Sequence, residues 1–394
     1  MINEIKNLAS GISKEIVEIR QHLHQNPELS FEEFNTQKFI IQKLEEFGLN
    51  EISTIAGTGV LVLIKGKNPE KKTIALRADI DALPITETNE VKYKSKNTGV
   101  MHACGHDVHT SCMLGVCKLL NNLKDKFEGT VKVIFQPGEE KLPGGASIVI
   151  KDGGLKNPDV TSIIGQHVMP LLPTGTVGFR KGLYMASTDE IYMSIIGRGG
   201  HGAQPQQNID PITASAQIIT ALQQVVSRIA HPIIPSVLSF GKIEAKGATN
   251  IIPDRVYIEG TFRTLDEKWR EKAHESIFKI STGIAESFGC KCEIEIKKGY
   301  PFLKNDEILT EKLISYAKNY MGNENVKELD IWMAAEDFAY YSQIVPACFY
   351  RLGTRNESKK IISNVHTSTF DIDEDAIQTG IGLMTWLAVC ELND

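Results

Sequence analysis

The sequence lacks long apolar runs and shows no excess of positive charge. No stretch approaches the roughly 18 apolar residues that a membrane-spanning helix needs. The 49 acidic residues outnumber the 43 basic ones and leave a net charge of −6, so the chain has no basic footprint of the kind that nucleic-acid-binding proteins carry. We therefore expect neither a membrane nor a nucleic acid as a partner.

A secretory signal and a paired set of cysteines are also missing. The first twenty residues mix Glu, Lys and Ile at helical spacing, without the continuous apolar stretch of a signal peptide. The seven cysteines are an odd number. This combination is typical of reduced thiols and predicts a cytoplasmic protein.

Three common catalytic motifs do not occur. The absence of HExxH, GxSxG and GxxxxGK[ST] removes helix-borne zinc proteases, nucleophile-elbow hydrolases and P-loop nucleotide enzymes as simple interpretations. One GxGxxG string, residues 197–202, follows a strand-like run, but Gln204 and Pro205 come next and no helix begins before Pro211. A dinucleotide-binding turn needs a helix at that point, so we reject this interpretation.

Short apolar runs alternate with helical patterns in the first half of the chain. With 394 residues, the chain is too long for one ordinary core. The alternation predicts an α/β fold with a mostly parallel sheet. The predicted strands are residues 59–64, 73–76, 131–135 and 162–165, and the predicted helices are 13–24, 32–47 and 109–123.

The middle of the chain changes character. Its pattern reads β-α-β-β-α-β, which is the split ferredoxin-like unit. We place an inserted α+β domain at 186–300 and a catalytic domain at 1–185 and 301–394, which ends with a strand at 347–352 and a helix from Asp375. The elements of the inserted domain are predicted at 190–196, 211–229, 236–245, 255–264, 267–288 and 292–297.

Candidate metal ligands follow the strand-like runs of the first half. Asp79 follows one run, the pair Glu139 and Glu140 follows another through a Pro-Gly turn, and His167 follows a third. In open α/β sheets, ligands bind beyond the carboxyl ends of the strands, so we expect these side chains to meet at one edge. The pair Glu139 and Glu140 could also be a solvated charge pair, but its place after a buried run favours the site.

More donors lie in one short loop and near the end of the chain. Cys104 and His106 are two residues apart just before a predicted helix, and His366 comes late in the sequence. Thiolate, imidazole and carboxylate together suit a divalent ion such as zinc. His102 and His109, in the same loop, are more typical of hydrogen-bonding or helix-start residues than of ligands.

Five strings of the sequence stand out: RADIDALP at 77–84, HACGHD at 102–107, QPGEE at 136–140, GHGAQP at 200–205 and EDF at 336–338. Together they resemble the peptidase M20 family, in particular its amidohydrolase branch. That branch includes hippurate hydrolases, auxin-conjugate hydrolases and N-acetyldiaminopimelate deacetylases, and the resemblance runs nearly from end to end. It implies a zinc-peptidase-like catalytic domain with an inserted ferredoxin-like lid.

The resemblance also implies roles for individual residues around two divalent ions, which could be Zn, Mn, Co or Ni. Cys104 matches the bridging ligand, Glu139 the general base and Asp79 an acid that supports a ligand. Arg77 departs from the peptidase members, which carry a ligand histidine there. The remaining matches are the ligands His106, Glu140, His167 and His366, the oxyanion-stabilising His201, and Asn250 and Arg263, which hold a substrate carboxylate.

The function implied by the resemblance is hydrolysis of N-acyl-L-amino acids to a carboxylic acid and a free amino acid, by a homodimer or higher homo-oligomer that assembles through the lid. An N-acetyldiaminopimelate deacetylase or a hydrolase of small dipeptides or aminoacyl conjugates fits the same strings. Two other classes stay open: a thiol amidase with Cys104 as nucleophile, and a catalytically idle binding protein.

Overall fold

A computed structural model describes all residues from Met1 to Asp394. The chain forms nine α-helices, and a turn of π-helix at Val225–Ile229 extends the fifth. The helices are α1 (Ile2–Gln25), α2 (Phe34–Glu46), α3 (His106–Asn122), α4 (Gly145–Lys151), α5 (Pro211–Gln224), α6 (Glu267–Ser287), α7 (Glu307–Met321), α8 (Ala339–Ser342) and α9 (Asp375–Asn393).

Sixteen strands accompany these helices. They are β1 (Ile52–Ile55), β2 (Gly59–Lys65), β3 (Thr73–Asp79), β4 (Thr130–Gln136), β5 (Ser162–Pro173), β6 (Val177–Phe179), β7 (Gly182–Met185), β8 (Asp189–Ile196), β9 (Gly200–His201), β10 (Ser236–Ala245), β11 (Ile251–Ile252), β12 (Arg255–Thr264), β13 (Lys291–Lys298), β14 (Leu303–Asn305), β15 (Val326–Glu328) and β16 (Ala347–Arg355).

The first of two compact units comprises Met1–Tyr184, Lys304–Ile331 and Asp337–Asp394. It contains an eight-stranded sheet of order β1-β2-β4-β3-β5-β16-β6-β15. The four central strands β4, β3, β5 and β16 run parallel, whereas β2 joins β4, and β6 joins β16, in antiparallel pairs. The predicted α/β fold with a mostly parallel sheet is therefore confirmed.

The parallel strands that end at the functional site are covered on both faces. Every residue of β3 and of β4 is buried, as expected for strands between two layers. Helices α1, α3 and α9 contact one another, and α3 and α9 also contact β3. Their apolar side chains share one core with those of the sheet, so α3, which starts at His106, is held rigidly.

The second unit comprises Met185–Leu303 and Trp332–Glu336. Its four-stranded antiparallel sheet has the order β10-β12-β8-β13, with α5 and α6 packed against it around a separate core. The element order β8-α5-β10-β12-α6-β13 is that of a split ferredoxin-like unit. By their contacts, residues 332–336 group with this unit, although the sequence analysis assigned them to the first domain.

The sequence missed some elements and misjudged the ends of others. Helix α1 begins at Ile2 rather than near residue 13, and β5 continues past His167 to Pro173. Helix α7 and the short strands β1, β6 and β15 were not predicted. No helix is long and apolar enough to cross a membrane.

Candidate metal centre

The central strands bring the predicted carboxylates and one histidine to the same edge of the sheet. Asp79 is the last residue of β3, and Glu139 and Glu140 follow β4 after the turn formed by Pro137 and Gly138. His167 lies within β5 and pairs with Arg351 of β16. As predicted for the carboxyl ends of parallel strands, these side chains are neighbours.

A glycine with an unusual conformation presents Cys104 and His106. Gly105 lies before the first residue of α3 with a φ of +80°, a region that favours glycine. A Cβ atom at this position would lie 2.6 Å from Cγ2 of Val168. Any other residue would therefore push the loop away from β5, which carries the next donor, His167.

The five predicted ligands form two groups that share one sulfur atom. Ligand atoms of Cys104, His106 and His167 all lie within 4.8 Å of one another, and the same holds for Cys104, Glu140 and His366. The distance from Cys104 Sγ to Nε2 of His167 is 3.5 Å. The position of Cys104 in both groups is what a bridging ligand between two ions requires.

His366 joins the centre through the backbone of its loop. Its N–H donates to the carbonyl of Ala103 at 2.7 Å, and its φ is +62°. Nε2 of His366 lies 3.1 Å from Oε1 of Glu140, and about half of the histidine side chain is exposed. His366 is thus the most accessible of the five predicted ligands.

Asp81 orients His106, and the sequence analysis did not single it out. Oδ1 of Asp81 lies 3.1 Å from Nδ1 of His106, while Oδ2 accepts hydrogen bonds from Ser30 Oγ at 2.6 Å and from the N–H of Glu140 at 3.0 Å. A carboxylate on one ring nitrogen leaves the other one free to bind a metal. The signal was available: Asp81 is the second acid of the RADIDALP string.

Asp79, which the resemblance made the supporting acid, has other hydrogen-bond partners. It accepts from Nη1 of Arg77 and pairs with Nδ1 of His109, both at 2.5 Å, whereas Nε2 of His106 is 3.7 Å away. Nε2 of His109 accepts from the N–H of Val168 at 2.9 Å. Since this leaves the proton on Nδ1, His109 is the hydrogen-bonding residue that the sequence suggested.

Arg77 fills the place of a ligand histidine with a structural group. Its buried guanidinium donates to Asp79, to Oε1 of Gln136 at 2.9 Å and to Oδ1 of Asp337 at 2.7 Å. A guanidinium has no lone pair to offer a metal. The N–H of Asp337 lies 3.4 Å from Oε1 of Glu139, so this network reaches the predicted base.

The electrostatics of the site favour a cation. Burial lowers the pKa of His106, but the nearby carboxylates of Asp79, Asp81 and Glu140 outweigh this effect and raise the pKa to about 10. Burial and then the charge of Arg351 hold the pKa of His167 well below its usual range. Nε2 of His106 is buried without a hydrogen bond from the chain.

These observations test whether a metal fits the residues. A buried polar atom that lacks a hydrogen bond is costly unless another partner binds it. The donor set of sulfur, imidazole nitrogen and carboxylate oxygen is one that zinc and similar ions accept. The residues of this centre therefore fit a divalent metal.

Three further predicted site residues lie in the second unit. His201 of β9 pairs with Ile251 of β11, and the carbonyl of Asn250 accepts from the N–H of Gly202 at 2.8 Å, so His201 and Asn250 are neighbours. Both are exposed. Arg263 is near the far end of β12, about eight residues and hence about 26 Å of strand from Arg255. Because β11 adjoins the Arg255 end, the structure does not bring Asn250 and Arg263 of one chain together.

Known proteins are similar to this chain in sequence and in fold. Residues 75–388 match Peptidase family M20/M25/M40. The chain belongs to this family. The predicted membership of the M20 family and the predicted metallo-amidohydrolase of the M20 type are thereby confirmed.

Three similar proteins illustrate the range of the family. An N-acyl-L-amino acid amidohydrolase of Geobacillus stearothermophilus is 42% identical and is matched over 77% of this chain and 82% of its own. An N-acetyl-L-cysteine deacetylase of Bacillus subtilis is 41% identical, over 93% and 86%. The crystal structure of a dinuclear metal binding peptidase of the M20 family from Bacillus subtilis has a TM-score of 0.81 and 34% identity, over 97% and 99%.

Proposed function

We propose that this chain hydrolyses the amide bond of N-acyl-L-amino acids and releases a carboxylic acid and a free amino acid. The observation that carries the proposal is the pair of donor groups sharing Cys104, with the carboxylate of Glu139 beside them. The names of two relatives, which describe removal of acyl groups from amino acids, support the substrate class.

The ligand set that we propose consists of Cys104, His106, Glu140, His167 and His366, and it would hold two divalent ions such as zinc, manganese, cobalt or nickel. When bound, such ions polarise an amide carbonyl and acidify water. Glu139 is 6% exposed, and its carboxylate lies within 4.8 Å of the donor atoms of His106 and Glu140. Its role is to take a proton from the attacking water and to pass it to the leaving amine.

A thiol amidase is the competing chemistry at the same residues. Burial, together with the nearby carboxylates of Glu140 and Glu139, holds the pKa of the Cys104 thiol well above its usual range. A nucleophilic cysteine instead needs surroundings that favour its thiolate. Moreover, a thiol mechanism gives no role to Glu140 and His366, which group with Cys104.

The neighbouring glutamates provide a matched pair of variants for the test. Glu139→Gln should keep metal content and fold but lose about 10²–10⁴-fold in kcat, the usual contribution of an acid–base group. Glu140→Gln should instead lose metal on dialysis against a chelator. Metal content by elemental analysis and kcat on N-acetyl and N-benzoyl amino acids measure both effects. A Glu139→Gln enzyme with near-normal kcat contradicts the proposal.

We further propose that Arg263 reads the free carboxylate of the substrate, because its planar guanidinium suits a carboxylate. His201 is proposed to stabilise the oxyanion and Asn250 to hold a substrate carboxylate, with the proviso that Asn250 and Arg263 of one chain are too far apart to hold the same carboxylate. A cytoplasmic homodimer that assembles through the second unit completes the proposal. The free state of all seven cysteines and the partly exposed apolar side chains of Val237 and Ile243 on the edge strand β10 support it.

A further inference from the structure

The segment between α1 and α2, residues 28–33, runs beneath the loop that carries Glu139 and Glu140. It is fixed to the sheet edge at Ala82, whose N–H donates to the carbonyl of Glu28 at 2.8 Å, and Leu29 forms a parallel bridge with Ala82. The carboxylate of Glu28 accepts from the N–H groups of Asn35 and Thr36 at the start of α2. The segment is thus anchored on one side to the chain just after β3 and on the other to the start of α2.

Glu33 is a fully buried acid in this segment, with no charged partner among its hydrogen bonds. Its side chain is 0% exposed. Oε1 accepts from the N–H of Gly138 at 2.8 Å, and Oε2 accepts from Oγ1 of Thr58 at 2.5 Å. Burying a carboxyl group is costly, yet here it holds the backbone of the residue that precedes Glu139.

Phe31 packs against the same glycine. Gly138 has a φ of +61°, and a Cβ atom there would lie 2.3 Å from Cε1 of Phe31. Phe31 itself has a φ of +67°, which is uncommon for a bulky residue and costs free energy. The strained phenylalanine and the buried glutamate thus fix one backbone position together.

Ser30 supports Glu140, two residues after Gly138, through Asp81. Its hydroxyl donates to Oδ2 of Asp81, which in turn accepts from the N–H of Glu140. The Gly138–Glu140 turn is therefore held directly by Phe31 and Glu33, and through Asp81 by Ser30. None of the three side chains belongs to the groups of candidate ligands.

We infer that Glu33 is a positioning residue for catalysis, which sets the Gly138 backbone so that the Glu139 carboxylate faces the reacting water. This inference rests on the proposed role of Glu139 as the base. A displacement of about 1 Å in a catalytic group can reduce a rate by about 10²-fold. The hydrogen bond from Gly138 is the direct link between Glu33 and that group.

Two substitutions test separately the length of the Glu33 side chain and its charge. Glu33→Gln keeps the length of the side chain, so its amide oxygen can accept from Gly138 while its NH₂ group donates to Thr58. Glu33→Asp keeps the charge but withdraws the carboxylate by one methylene. If Glu33 positions the turn, Glu33→Gln should keep kcat close to wild type, and Glu33→Asp should lose about 10–100-fold with little change in KM and in metal content. The opposite order would overturn the inference, because it would make the charge decisive.

A double-mutant cycle tests whether the effect passes through Glu139. A residue that acts only through the base has nothing left to position once the base is removed. Adding Glu33→Asp to Glu139→Gln should therefore leave kcat at the value of Glu139→Gln alone. If the same fold-loss appears in both backgrounds, Glu33 acts through general stability and the inference is wrong.

The same cycle distinguishes this failure from failure of the proposed function. If Glu139→Gln alone retains kcat, the base assignment is wrong and the inference falls with it. If Glu139→Gln loses kcat as expected but the loss from Glu33→Asp multiplies with it, only the positioning role is refuted. Should Glu33→Asp fold poorly, Thr58→Val, which removes the other hydrogen bond that anchors Glu33, takes its place in the cycle with a smaller expected loss.

Discussion

Asp81→Asn should weaken metal binding although Asp81 is not a proposed ligand. In the wild type, Oδ1 faces Nδ1 of His106, and Oδ2 takes both the Ser30 hydroxyl and the N–H of Glu140. An asparagine can keep an oxygen at only one of these places. If the NH₂ group took the place of Oδ2, it would face the N–H of Glu140, and two donors would meet. The favoured orientation therefore turns NH₂ toward His106.

That orientation reverses the proton positions on the His106 ring. Nδ1 must then accept a hydrogen bond, and the neutral ring carries its proton on Nε2, the buried nitrogen that has no hydrogen bond from the chain. A metal on Nε2 would force the ring proton onto Nδ1, where it would face the asparagine NH₂ group instead of a carboxylate oxygen. Loss of such an orienting partner typically costs about 10–100-fold in metal affinity, or about 1.4–2.7 kcal/mol. One lost hydrogen bond to a charged group, worth about 1.5–3 kcal/mol, gives a similar figure.

Competition with a chelator measures this loss. Zinc-loaded wild type and variant are titrated with the chelator, and retained zinc is measured by elemental analysis. Asp125→Asn is the matched control, because Asp125 is exposed and follows the carboxyl end of α3, the end opposite to His106. Equal titration midpoints for Asp81→Asn and wild type would refute the tautomer argument.

Two further predictions concern the second unit. Asp189 is buried and pairs with Arg270 at 2.5 Å and with His274 at 2.6 Å; burial raises its pKa, but these partners outweigh burial and lower it. The pairing therefore stabilises the fold above the unfolded pKa of about 3.9, and the stabilisation is lost as the pH falls through the lower folded value. Asp189→Asn should lower the free energy of unfolding by about 3–5 kcal/mol at neutral pH. In denaturant unfolding, the difference in this free energy between wild type and variant should become smaller below about pH 4. A difference that stays constant from pH 7 to pH 3 contradicts this. Arg263→Ala should leave metal content unchanged and raise KM for an N-acyl amino acid but not for its carboxamide; an unchanged acid-to-amide preference would show that Arg263 does not read the carboxylate.

The sequence was informative where a residue's chemistry and its place after a strand agreed. The meeting of Asp79, Glu140 and His167 at one edge could be predicted in this way, because parallel strands that end at one edge bring their following residues together. The β-α-β-β-α-β pattern of the middle segment could be predicted for a similar reason, since alternation and helical periodicity are both local signals.

The supporting residues could not be found by the same reasoning. Glu33 lies 105 residues before Gly138, and Ser30 lies 51 residues before Asp81, in a segment whose polar pattern is that of an ordinary helix start. Their hydrogen bonds depend on long-range packing, which no periodic pattern in the local sequence indicates. Strand β6 and strand β15 were missed because three residues are too few for a period to show.

The order of the sheet also bears on how this protein forms during synthesis. Strand β16 lies between β5 and β6 in the sheet, yet it is made from residues 347–355, and His366 follows it. Most of the second unit, Met185–Leu303, is one continuous stretch of chain. Since chains emerge from the ribosome amino end first and domains fold as units, the second unit can fold while the first still lacks a central strand. The metal centre is completed only when the last tenth of the chain emerges, so a polypeptide truncated before β16 would expose the edge of β5 and would lack His366.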